Sequence, residues 1–168
     1  KYINFKKYKF LPVYIAGLFV FTVFVYLNIP MFFNYNKLEI ENTICRDLGI
    51  QCSIQGKIKY SFLPSPRIKF KDFIIKDLTD ENKVLGKIEN VAIKISPYNL
   101  SNKEKFNFTK IELKSAEINI DLEKFNEYKI FSAKEINPKL LNLREGKIKF
   151  FDGKKYIATI EDVNIKYN

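Results

Sequence analysis

Residues 67–76 read Arg67-Ile-Lys-Phe-Lys-Asp-Phe-Ile-Ile-Lys76. Ile68 and Phe70 alternate with Lys69 and Lys71, the period-2 signature of a strand with one greasy and one wet face. The alternation then breaks. Apolar residues resume on Phe73 and Ile75, one step out of phase, with Lys71-Asp72 at the break. A one-residue slip turns every later side chain to the other face. A strand that keeps its oily side inward therefore needs a bulge or a sharp bend here. A strand crossing from one hydrophobic layer to another would also accommodate the slip, and the sequence does not choose between the two.

The same break recurs along the chain. It falls between Ile88 and Val91 at Glu89-Asn90, between Leu113 and Ala116, and between Ile160 and Val163 at Glu161-Asp162. Bends repeated in several strands would coil the sheet they form. The period-2 pattern places strands at 51–62, 67–76, 84–96, 108–122, 144–151 and 155–167. Pro64 and Pro66 turn the first hairpin and Asp152-Gly153 the last. Residues 123–143 are mixed, with a short helix expected near Pro138-Lys-Leu-Leu141.

Two of these hairpins share wording. Gly56-Lys-Ile-Lys-Tyr60 is matched by Gly146-Lys-Ile-Lys-Phe150, an offset of 146 − 56 = 90, and Lys71–Lys76 falls on Glu161–Lys166 at that same offset. A gapless match opened by Gly and closed by Asp and Lys predicts one structural unit used twice. The paired positions of Asp72 and Asp162 assign them to bends rather than to chemistry.

Lys57, Lys59, Lys69, Lys71, Glu112, Lys114, Lys147 and Lys149 occupy the polar phase and predict a solvated face that also discourages edge-to-edge aggregation. The opposite phase carries Ile58, Tyr60, Phe62, Ile68, Phe70, Phe73, Ile75, Val91, Ile93, Ile95, Ile148, Phe150, Val163 and Ile165. Periodicity alone reads that greasy face as the core side, covered by a helix or a second sheet.

Upstream, no residue from Phe10 to Asn36 is charged. An apolar stretch over 10–33, interrupted only by Asn28 and Pro30, matches the roughly 30 Å hydrocarbon core of a bilayer and predicts a retained transmembrane anchor. It is longer than a signal-peptide apolar region and shows no small-residue cleavage site. Lys1, Lys6, Lys7 and Lys9 crowd the N-terminal flank, 1–9, which by the positive-inside tendency stays cytoplasmic. Between anchor and sheet, 34–50 holds a short helix over 37–49. Asn36 is its N-cap, Glu39 completes a capping box and Gly49 stops it.

The chain has a formal net charge of +10, yet among its 29 basic residues only Arg46, Arg67 and Arg144 are arginines. Nucleic-acid readers favour the planar arginine fork, so no nucleic-acid partner is expected. His is absent, which removes the usual general base and the commonest metal ligand. Without paired carboxylates in an apolar setting or a Ser elbow, no enzyme, catalytic residue, cofactor or metal is expected. Cys45 and Cys52 are too few for a structural zinc site. They pair as a short disulfide in an oxidising compartment or lie as two buried hydrophobes. Lys1 in place of Met and an ending inside a strand-like pattern suggest part of a longer chain.

The order basic flank, apolar span, short helix, Gly56-Lys-Ile-Lys-Tyr-Ser-Phe-Leu-Pro64 through Arg67–Asp72, then Val84-Leu-Gly-Lys-Ile-Glu-Asn-Val-Ala-Ile-Lys-Ile-Ser-Pro-Tyr-Asn-Leu100, resembles the N-terminal region of AsmA-like proteins. The likeness runs over about 10–122. Tyr60 stands where that pattern leads one to expect Trp. The resemblance implies an inner-membrane protein projecting into the periplasm of a double-membraned bacterium and related to bridge-like lipid transfer proteins. It implies roles in phospholipid movement and outer-membrane assembly, with phospholipid acyl chains lodged on an apolar β groove. The fourteen greasy-face residues named above then become lipid-facing candidates. A structural ectodomain that binds an envelope protein through strand edges is the alternative. The expected fold is mainly β: a transmembrane helix, a capping helix, then a curved antiparallel sheet of repeated units over 51–168.

Overall fold

The computed structural model describes residues 10–45, 50–77, 83–98, 100–132 and 140–167. Helix α1, Leu11–Asn28, runs into a 3-10 turn at Ile29–Phe32. It opens with Pro12 in its first turn, where the missing N–H costs nothing. Over Leu11–Phe32 the segment is 22 residues long and only 6% buried. Its apolar side chains point outward all round, which suits lipid and not water. The N-terminal flank, 1–9, lies outside the described residues.

Helix α2 spans Lys37–Cys45, shorter than the expected 37–49; Arg46–Gly49, including the expected stop, lie outside the described residues. Asn36 caps α2: its Oδ1 accepts from Leu38 N at 3.1 Å, and its backbone carbonyl from Ile40 N. Glu39 sits where a capping box needs it, and its Oε2 pairs with Lys103 Nζ at 2.6 Å.

Seven strands form one sheet: β1 Cys52–Ile54, β2 Lys59–Ser61, β3 Arg67–Lys76, β4 Val84–Ile95, β5 Phe108–Asp121, β6 Leu140–Asp152 and β7 Lys155–Tyr167. Their order is β1-β3-β4-β5-β6-β7, with β2 beside β1 on the same edge of β3. The expected first strand, 51–62, is two strands. Gln55 N and Gly56 N reach across to Asp72 O and Lys71 O, and a Cβ on Gly56 would lie 2.6 Å from Lys71 O, so only glycine permits that approach. The sheet is antiparallel as expected, except that β5 and β6 run parallel. The return between them passes through helix α3, Phe125–Ser132. The helix expected near 138–141 is therefore misplaced: Leu140 and Leu141 are extended in β6, where they pair with Lys110 and Ile111; Pro138 lies outside the described residues.

The parity breaks are sharp bends. Asp72, Ser115, Glu145 and Asp162 all have φ between 52° and 56°, the left-handed region that non-glycine residues rarely enter. The register of β3 on β4 is unchanged across the bend: Lys71 pairs Asn90 and Phe73 pairs Ile88. The same holds for β4 on β5, where Asn90 pairs Lys114 and Ile88 pairs Ala116. On β6, Lys114 pairs Arg144 and Glu117 pairs Lys147, which sets Ser115 beside Glu145. One crease thus crosses five strands at Asp72, Glu89, Ser115, Glu145 and Asp162. From β3 to β6 each strand turns over at the same level, so the ladder survives there and the apolar side stays the apolar side; between β6 and β7 the register shifts on either side of Gly146. Ser115 Oγ bonds Glu145 Oε2, Asn164 Oδ1 accepts from Glu145 N, and Asn164 Nδ2 donates to Asp162 O, which stitches the far end of that line.

Candidate functional site

The apolar side of the sheet changes character along its width. Beneath β1 to β4 it is closed. Ile68, Phe70, Phe73, Val91, Ile93 and Ile95 are each 4% exposed or less and form one core with Ile40 and Cys45 of α2 and with Leu100. Cys45 and Cys52 are disulfide-bonded, with Cα atoms 6.2 Å apart, and this bond fixes the end of α2 to the start of β1. Glu41 Oε1 accepts from Ile54 N and Lys37 Nζ donates to Gln55 O, so α2 is tied down at both ends.

The end of this core nearest α1 is sewn to that helix. Tyr26 Oη donates to Pro97 O and accepts from Leu100 N. Tyr60 Oη donates to Leu27 O at 2.7 Å, and Tyr35 Oη to Pro30 O at 2.8 Å. Burial, aided by the neighbouring Tyr26, pushes the Tyr60 phenol up to about 12; burial and Tyr60 raise Tyr35 as well. Phe62 packs edge-on against Phe24 at 5.7 Å. Ile58, Tyr60, Phe62 and Ile75 are half-buried.

Beneath β5 to β7 the same side opens. Ile118, Ile120, Ile148, Phe150 and Val163 are half-buried, while Ile165 is 46% and Ile160 52% exposed. The fourteen candidates therefore divide. Those on β3 and β4 sit inside a closed core, apart from the half-buried Ile75, and Ile148, Phe150, Val163 and Ile165 lie on the open stretch. Ile111, Leu113, Ala116, Ile118, Ile120, Leu141, Leu143 and Ile160 belong to the same side through their register partners and were not among the candidates. The alternation Ile111/Leu113 and Ile118/Ile120 carried that signal.

On the polar side the bend produces a concavity of about 790 Å³ beside the crease. It is lined by Lys57, Lys59, Lys69, Lys71, Lys114 and Arg144 over a floor that includes Ala92 and Asn142. At its wall Glu112 gathers Arg67, Lys94 and Lys110 at 3.2, 3.2 and 3.7 Å. Burial pushes its carboxyl up, but the Lys94 hydrogen bond and the charges of Lys94, Arg67 and Lys110 overcome this and hold it below the ordinary value. Spacing had assigned these lysines to a plain solvated face; only the curvature brings them round a common volume. Among the described residues no group of His, Cys, Asp and Glu could hold a metal ion.

The profile of the AsmA family matches residues 5–134, well over half of the sequence. The chain belongs to the AsmA family. No curated protein and no solved structure matches it. The matched region takes in α1, α2 and β1 to β5, that is, the apolar helix, the closed core and the strands that start the crease. AsmA membership supports an envelope protein related to lipid transport, and the apolar helix is compatible with a single-pass anchor. In this AsmA chain the hairpin β6–β7, beyond the matched residues, repeats the design of β1–β3: Gly146 approaches Val163 O, and Asp162 bends as Asp72 does.

Proposed function

We propose that this protein is a non-enzymatic lipid-handling component of a double-membraned envelope. It is anchored in the inner membrane by α1, its N-terminus is cytoplasmic and its sheet is periplasmic, and it takes phospholipid acyl chains on the apolar side of β5 to β7. The observation that carries this reading is the continuity of that side. A fully buried core under β3 and β4 passes, without change of residue type, into a stretch where Ile160 and Ile165 are about half exposed. Each CH₂ moved out of water there gains about 0.8 kcal/mol, so a chain is held by area and can slide between like neighbours. The disulfide supports an oxidising compartment. The basic flank supports the orientation.

Organic extraction and mass spectrometry of the detergent-purified protein test the reading. Phospholipid should co-purify with the parent and fall several-fold in an Ile160→Lys/Ile165→Lys variant. No co-purifying lipid from a folded parent sinks it. The second reading, a scaffold for an envelope protein, draws on β7: among the described residues this 13-residue strand pairs on one edge only, with β6. Site-specific crosslinking from β7 to one protein species, with no lipid, would favour it.

A further inference from the structure

The register of the sheet sets cations directly opposite one another on the polar side. Lys59 pairs Lys69 across β2 and β3, and Lys114 pairs Arg144 across β5 and β6. Like charges in directly opposed cross-strand positions are destabilising. Natural sheets usually alternate signs at such pairs, as this one does where Glu117 pairs Lys147 across β5 and β6. The opposed cations Arg67, Lys94 and Lys110 are bridged by Glu112, whereas the other two like pairs converge on the concavity beside the crease, joined by Lys57 and Lys71. Of the two carboxylates in its lining, Glu112 is already shared by three other cations. Lys114 has Glu145 at 3.1 Å, whereas Lys57, Lys59, Lys69, Lys71 and Arg144 form no ion pair among the described residues. The volume, about 790 Å³, falls in the range of small-molecule sites.

We propose that this basin binds a phosphate-bearing anion. A tetrahedral dianion accepts from several ammonium groups at once and from the arginine fork, and it relieves both like-charge pairs. The basin stands close to the apolar span that the proposed function places in the bilayer. Phe62 touches Phe24 of the apolar span, and Lys59 lies three residues from Phe62, about 10 Å along an extended chain. A lipid headgroup at the membrane surface and a free phosphate therefore share the required chemistry. The site does not rest on the acyl-chain reading, because it lies on the opposite side of the sheet.

Two probes separate the sources. Calorimetry on the detergent-solubilised protein would titrate pyrophosphate and, separately, monomeric short-chain phosphatidylglycerol, with zwitterionic short-chain phosphatidylcholine as the comparison of zero net charge. Binding of phosphatidylglycerol that pyrophosphate displaces assigns a lipid headgroup; binding of pyrophosphate alone assigns a soluble phosphate. In either case Lys59→Gln/Lys69→Gln and, independently, Lys71→Gln/Arg144→Gln should weaken affinity about tenfold or more, and Lys155→Gln, at the distant β6–β7 turn, should not. Without ligand, Lys59→Gln/Lys69→Gln should melt no lower than the parent, since it removes a repulsion. Failure of both probes to bind the parent, or unchanged affinity in both double variants, overturns the proposal.

Discussion

At the scale of single residues, the crease depends on side chains that tolerate a left-handed backbone. Asp is among the few non-glycine residues that enter this region readily, and it stands at two of the four positive-φ positions. A β-branched side chain there meets its own backbone. Asp162→Val should destabilise the protein by about 1–2 kcal/mol, whereas Asp162→Gly should stay within about 0.5 kcal/mol of the parent, strain relief offsetting chain entropy. Urea unfolding of the three proteins would check the order. If Val and Gly were equivalent, the bend would not depend on this residue's backbone. The alternation in 67–76 made the break itself legible in the sequence, because two apolar runs of opposite parity need either a bend or a crossing between layers; the positive φ of Asp72 and the unchanged register show the bend. The left-handed Glu145 was not legible: Leu141 and Leu143 lay outside the expected strand, so no parity could be read before it.

At the scale of elements, two ties hold the layers together, and each has a separate signature. The disulfide closes a short loop of sequence separation 7 between α2 and β1. The chain-entropy account gives such a loop about 2–2.5 kcal/mol. Reduction, or Cys45→Ala/Cys52→Ala, should therefore lower stability by that order, measured by denaturant midpoint at constant slope. Glu112 is the second tie, joining Arg67 of β3, Lys94 of β4 and Lys110 beside it on β5. Its folded-state pKa lies below the ordinary carboxyl value of 4.5. A depressed carboxyl contributes stability that is present above the unfolded pKa and is lost as pH falls through the folded one. Melting temperature should thus decline below about pH 4.5, and Glu112→Gln should flatten part of that decline. An unchanged acid limb in the variant would refute the assignment. The elements themselves were largely readable: β3, β4, β5 and β7 fall where period 2 put them. The helix expected at Pro138–Leu141 was misplaced because four residues around a proline fit either state, and the parallel β5–β6 pair was invisible because alternation does not encode strand direction.

At the scale of the whole molecule, burial is uneven. Ile68 and Ile93 are 1% exposed, and Ile160 and Ile165 are about half exposed on the same side of the sheet. Local stability follows buried apolar contact. Native-state amide exchange should therefore be slowest at Ile68, Val91 and Ile93 and faster by at least tenfold in β7. Uniform protection across the sheet would contradict an open end. This gradient could not be read from composition, since Ile and Phe are spread through both halves. It arises from where α2 and the end of α1 pack, which is a matter of connection geometry, fixed by the disulfide and three tyrosine hydroxyls.

A sheet folded along one straight line has a mechanical consequence. From β3 to β6 ladder bonds persist above and below the crease, so the two flaps can swing about it as a single hinge without sacrificing register there. Any swing that narrows the lysine-lined hollow must spread the oily surface behind it, and the reverse. Occupancy on one side is thereby coupled to aperture on the other through nothing more than the stiffness of a crease with four left-handed corners.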